Sequence, residues 1–174
     1  MEVERRVPVV VLALVVVLGL VTGMAAVAFA LRDGRSRPAR DLPAVAGTEP
    51  AAARVLRDWD RRRSQAYAHA DVRALAGLYA DRSRAGAADQ RVLRGYRKRG
   101  LRVAGMRTQV LSLRVLRTAD DRITLLVTDV LEDAVAVDAA GRRWPLPGDR
   151  PTTRRVVLVR AGAAWLVAES YAVG

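Results

Sequence analysis

From Val7 to Leu31 the chain runs for 25 residues without a charged side chain, and Thr22 is the one hydroxyl within it. At 1.5 Å rise per residue, about 20 apolar residues cross a hydrocarbon core about 30 Å thick. A helix at the surface of a globular core shows a polar face, and this stretch has none. Residues 7–31 are therefore expected to form a single transmembrane helix behind a short tail, residues 1–6. Arg5 and Arg6 precede it, and Arg32, Arg35, Arg37 and Arg40 follow it, so both ends carry cations suited to a headgroup layer. The rival reading is a secretory signal, because Ala28-Phe29-Ala30 has the form of a cleavage site. A signal's apolar region usually spans only about 7–15 residues. The arginine excess after the segment argues for a cytoplasmic domain by the positive-inside rule, whereas the cleavage-like site argues for export. The expectation is a single-pass protein of the cell membrane with an extracytoplasmic domain; the alternative is secretion after cleavage near Ala30.

The formal net charge is +12, and Lys98 is the one lysine among 30 basic residues. With the excess of Ala and Val, this composition fits a GC-rich bacterial genome. Cysteine is absent, which excludes disulfides, thiolate metal sites, a cysteine nucleophile and a lipidated cysteine. Residues 50–102 hold 14 basic side chains against five Asp, whereas residues 103–174 hold ten Arg against eight acids. The first half thus presents either a solvated arginine face or a surface for anionic headgroups, where each cation contributes about 1 kcal/mol. Nucleic acid is not an expected partner, since no basic patch with stacking aromatics and no docking motif is visible.

Residues 32–48 are rich in Arg, Pro, Gly and Ala without periodicity and read as a linker, extended near Pro38 and Pro43. Residues 49–174 read as one α+β domain. Thr48 suits an N-cap, and Ala52, Val55, Leu56, Trp59, Ala66, Tyr67 and Ala70 follow helical spacing. Asp71 suits the cap of a second helix with Val72, Leu75, Leu78 and Tyr79 in the core. A third helix is predicted over 87–99, with Ala88, Val92, Leu93 and Tyr96 inward and Gly100 at its end. After Gly100 the period falls to two. Strands are predicted over 106–117, 122–137, 152–160 and 164–173, with a Pro- and Gly-rich loop over 141–150. Helices first and hairpin-linked strands after imply about three helices packed on an antiparallel sheet of about four strands.

The stretch AYAHADVRALAGLYA (66–80) and the closing AWLVAESYAV (164–173) carry a resemblance. Over residues 50–174 the chain resembles the nuclear transport factor 2-like superfamily, also called SnoaL-like or cystatin-cone. The resemblance implies a curved sheet wrapped about a long helix to enclose a conical pocket. Enzymatic members place Asp, His or Tyr inside that cone, and a partner sheet often covers the open face. One membrane helix ahead of such a domain is a layout of envelope proteins in high-GC Gram-positive bacteria.

Candidate catalytic residues are few. His69 is the one histidine, able in principle to act as a base, though it sits at a helix end beside Asp71. Asp129 alternates with Leu125, Val127 and Leu131, and Glu169 with Trp165, Val167 and Tyr171. Either carboxylate could point into the cone and serve as a base, or pair with Arg114 or Arg155 on a neighbouring strand. Trp59, Tyr67, Tyr79, Trp165 and Tyr171 are ligand-pocket candidates, although they are equally natural core fillers. Trp144 stands apart in the Pro-rich loop. No metal cluster, P-loop, nucleophile elbow or dinucleotide fingerprint occurs, so neither metal nor cofactor is expected. The expected role is a membrane-anchored, non-enzymatic envelope accessory module. It would bind a partner protein, a second copy of itself or a small apolar ligand. The alternative is a cyclase- or isomerase-type enzyme using a carboxylate in the cone.

Overall fold

The computed structural model describes residues 48–173. The expected membrane span, its tail and the linker up to residue 47 lie outside the described residues. Among the described residues no helix is long and apolar enough to cross a membrane. The chain forms α1 (Thr48–Ala68), α2 (Val72–Ala76), α3 (Arg84–Lys98), β1 (Arg102–Ala104), β2 (Arg107–Thr118), β3 (Arg122–Glu132), β4 (Val135–Val137), β5 (Arg143–Pro145), β6 (Thr152–Ala161) and β7 (Ala164–Ala172).

On α1 the buried positions Ala52, Leu56, Trp59, Arg63, Ala66 and Tyr67 recur at helical spacing. Asp71 caps α2 by accepting hydrogen bonds from the Arg73 and Ala74 amides, each at 2.9 Å. α3 starts three residues before the predicted position because Ser83 caps it, its hydroxyl accepting from the Gly86 amide at 3.1 Å. Gly100 then takes a φ of +69°, the left-handed conformation that ends a helix.

Four antiparallel strands form the main sheet in the order β2-β3-β6-β7. Extra residues at Leu111 and Leu116 in β2, and at Ala168 in β7, shift the register and bend the sheet. The predicted strand 122–137 is broken at Asp133, whose φ is +59°. The chain leaves the sheet there, and Val135–Val137 joins a second sheet ordered β1-β4-β5. β1 and β5 are three residues each, too short to show a period in sequence. Ile123, Leu125 and Val127 of β3, with Val156, Leu158 and Val167, face Leu56, Trp59, Leu75, Leu93 and Tyr96 in one core. The fold is thus α+β, with three helices on one face of a curved antiparallel sheet. By strand alternation Thr124, Leu126, Thr128 and Val130 face away from the helices. The segment after α2 is tied to the sheet by Ala80 and Val167, whose amides donate to the carbonyls of Val167 and Leu78 at 3.0 Å each.

Candidate functional site

The interior between the helices and the sheet holds an ion pair with two phenols. Arg63 of α1 donates through Nε to Asp89 Oδ2 and through Nη2 to Oδ1, both at 2.7 Å. Tyr67 donates to Asp89 Oδ1 at 2.6 Å and Tyr79 to Oδ2 at 2.7 Å. Arg63 and Asp89 are 3% and 1% exposed, so the charges lie out of water. Burial opposes the Asp89 charge, but Arg63 and then the two phenol hydrogen bonds hold its carboxyl below the usual carboxylate range. Burial likewise opposes the Arg63 charge, and Asp89 more than restores it. Burial and the Asp89 charge push both tyrosines up. Trp59 closes the group from one side: its indole donates to the Leu78 carbonyl at 2.8 Å, and its ring meets Tyr79 edge-on at 5.4 Å.

A small cavity of about 30 Å³ lies between α1 and strands β2, β3 and β6, lined by Arg63, Thr108, Asp129, Leu131, Asp149, Thr152 and Arg154. Asp129 is 6% exposed and accepts from Arg154 Nε at 3.1 Å. Burial pushes its carboxyl above the ordinary value; Arg154 pulls it back, and the charges of Asp60 and Asp149 push it up again. Asp60 accepts from the Thr108 hydroxyl at 2.8 Å. A second cavity of about 10 Å³ lies among Tyr67, Val92, Tyr96, Met106 and Leu146. Small-molecule pockets usually measure about 300–1,000 Å³, so the larger cavity has room for a water or two and no organic ligand.

The structure separates the residues that the sequence nominates. Asp129 is inward-facing and reaches the cavity, paired with Arg154 rather than with Arg114 or Arg155. Glu169 is outside: the extra residue at Ala168 breaks the alternation with Val167, and its half-exposed carboxylate lies 3.7 Å from Arg122. His69 is an exposed turn residue at the end of α1, its amide bonded to the Gln65 carbonyl. Trp59, Tyr67 and Tyr79 belong to the core, with their polar atoms committed as described. Trp165 is partly buried under Arg160, and Tyr171 is 46% exposed at the sheet exterior. Trp144 is also exposed, with Arg142 over its ring at 5.7 Å. Among the described residues no group of three His, Asp or Glu side chains is placed to hold a metal ion.

Arg63 and Asp89 are inconspicuous in the sequence because Arg63 sits in a run of three arginines and Asp89 on a helix dense in cations. Their spacing is the signal. Arg63 lies four residues after Trp59 and four before Tyr67, and Asp89 four before Leu93, so both fall on apolar stripes.

No family model matches the chain, and no curated protein matches it significantly. Solved structures do resemble it. Aln2 from a Streptomyces species is 14% identical with a TM-score of 0.48, over 71% of this chain and 90% of that one. Rv3472 of Mycobacterium tuberculosis, described as of unknown function, is 14% identical with a TM-score of 0.49, over 74% and 75%. A Streptomyces avermitilis protein described as a dehydratase of the NTF2-like family is 13% identical with a TM-score of 0.46, over 71% and 96%.

Proposed function

We propose that this chain is a membrane-tethered binding module of nuclear transport factor 2-like fold, acting outside the cytoplasm and without catalysis. One observation carries the reading: the space in which such a fold would hold a ligand is filled. The Arg63–Asp89 pair with Tyr67 and Tyr79 occupies the centre, and about 30 Å³ remains beside it. Binding then falls to the exterior. On the outer face of the sheet, Leu126 stands between Arg114 and Arg155, with Tyr171 beyond, and Thr124 stands beside Arg117. Cationic and apolar side chains alternating across this face suit a protein partner, either a second copy or an acidic envelope protein.

The test uses the full chain in its native membrane. Retention through an alkaline carbonate wash is expected, together with cross-linking to a partner that Leu126→Arg or Tyr171→Glu abolishes. Extraction of the unprocessed chain by carbonate overturns the tether; cross-linking indifferent to both substitutions overturns the partner face.

A second reading rests on Asp129, whose raised carboxyl faces the cavity as a general base for a carbon acid would. It requires the cavity to open roughly tenfold before substrate fits. Unchanged turnover of an identified substrate by Asp129→Asn disposes of it.

A further inference from the structure

We infer that the solvent face of α3 is a docking surface for anionic lipid headgroups, an inference that rests on the tether proposed above. Arg84, Arg91, Arg94 and Lys98 are all exposed on this helix. At 100° per residue they fall within one quadrant, along about 21 Å of helix axis. Among the described residues none of the four forms an ion pair with a carboxylate. On α1 Asp58 engages Arg61 and Arg62; Arg54 and Arg57 there are without a carboxylate partner among the described residues but have Asp58 and Asp60 on the same helix. The single acid of α3 is Asp89, and it is turned inward to Arg63. Between the cations stand Ala87 and Gly95, and no atom lies within 4 Å of where a Gly95 side chain would begin. The face is therefore cationic and open at Gly95, and α3 itself turns no acid outward to repel a phosphate. It also lacks an exposed aromatic on which a base could stack, which argues against a nucleic acid.

The rest of the chain supplies the occupant. Residues 7–31 are the apolar run, and only residues 32–47 separate them from α1. Sixteen residues reach at most about 53–58 Å, and a domain of this size is about 36 Å across, from a radius of gyration near 14 Å. Any face can meet the bilayer that anchors the chain. Tethering raises the local headgroup concentration, so individually weak contacts suffice. A cation near an anionic surface contributes about 1 kcal/mol, or about fivefold in the docking equilibrium.

The chain has no cysteine, so Gly95→Cys gives a single labelling position on the stripe, and Ala119→Cys, beside Asp120 and Asp121, gives a control. Full-length protein is reconstituted into phosphatidylcholine vesicles with or without phosphatidylglycerol, and energy transfer from the label to a headgroup acceptor is read. Transfer from position 95, but not from 119, is expected to rise on phosphatidylglycerol. It should be lost at about 1 M salt, where the Debye length is about 3 Å. Arg91→Gln should lower docking about fivefold, and Arg84→Lys/Arg91→Lys/Arg94→Lys should retain it. Equal transfer on both lipids, an equal rise at position 119, or indifference to Arg91→Gln overturns the inference. So does a signal on phosphatidylcholine that appears only when RNA or an acidic peptide is added. Failure of the full chain to float with phosphatidylcholine vesicles overturns the tether instead, and a rise at position 95 on phosphatidylglycerol still supports the stripe.

Discussion

The guanidinium of Arg63 and the carboxylate of Asp89 meet in a two-pronged pair, 26 positions apart in sequence, that joins α1 to α3 at the centre of the fold. Each carboxylate oxygen accepts one bond from Arg63 and one from a phenol, Tyr67 on Oδ1 and Tyr79 on Oδ2. Four donors on two oxygens use about all the lone-pair directions a carboxylate has. An ion pair so deeply buried gains little over a well-packed apolar pair, but removing one partner alone strands the other.

Asp89→Ala is therefore expected to cost about 3–5 kcal/mol, since it leaves Arg63 charged, Tyr79 without an acceptor and Tyr67 with only the backbone carbonyl of residue 89 at 3.2 Å. Arg63→Ala/Asp89→Ala should cost clearly less than the sum of the two single changes. Urea midpoints for the four proteins measure both. Additive costs would mean that the two residues act independently.

Acid sensitivity follows from the same pair. The Asp89 carboxyl titrates lower folded than unfolded, so the unfolded chain binds the proton first as pH falls. The stabilisation is complete above the unfolded value and is lost as pH drops below it and through the folded one. Asp89→Asn should be less stable at neutral pH and should show a flatter acid limb. Denaturant midpoints across that range decide the matter; parallel limbs for both proteins would assign the acid transition to other carboxylates.

Two glycines of α3 should respond in opposite directions to the same change. A Cβ on Gly86 would stand 2.6 Å from Tyr79 Cγ and 2.7 Å from its Cβ, whereas none is obstructed at Gly95. Ala in place of Gly favours a helix by about 0.8–1.0 kcal/mol. Gly95→Ala should thus stabilise by about that amount. Gly86→Ala should destabilise by about 1–3 kcal/mol, because the tyrosine that reaches Asp89 is pushed from its place. Thermal melts of both variants provide the comparison, and a Gly86→Ala protein as stable as Gly95→Ala would show that Tyr79 yields without loss.

Much of this architecture is legible in the chain. Leu56, Trp59 and Tyr67, and then Ile123, Leu125 and Val127, keep their periods over enough residues to declare a helix and a strand facing one core. What stays hidden has local causes. The break at Asp133 depends on one left-handed residue packed against Gly105, whose added Cβ would lie 2.7 Å from the Asp133 carbonyl oxygen. The exposure of Glu169 depends on one extra residue, Ala168, and strand alternation read from sequence has no means of seeing a bulge. Asp129 is the nominated carboxylate that does face inward, because β3 has no such interruption before it.

Asp129 also allows a direct test of the field inside the cavity. Burial raises its carboxyl and Arg154 opposes the rise, with Asp60 and Asp149 adding to it. A carboxyl that titrates higher folded than unfolded binds its proton first in the folded state. Its contribution to stability is therefore fully present below the unfolded value and is lost as pH rises through the folded one. In a ¹³C carboxyl titration Asp129 should show its midpoint above that of an exposed aspartate. Arg154→Gln should raise it further by removing the nearest cation, and Asp149→Asn should lower it by removing a nearby anion. Opposite shifts of this kind identify a site governed by its immediate charges. A midpoint that Arg154→Gln left in place would mean that water, rather than the guanidinium, solvates this carboxylate, and that the cavity is more open than its 30 Å³ implies.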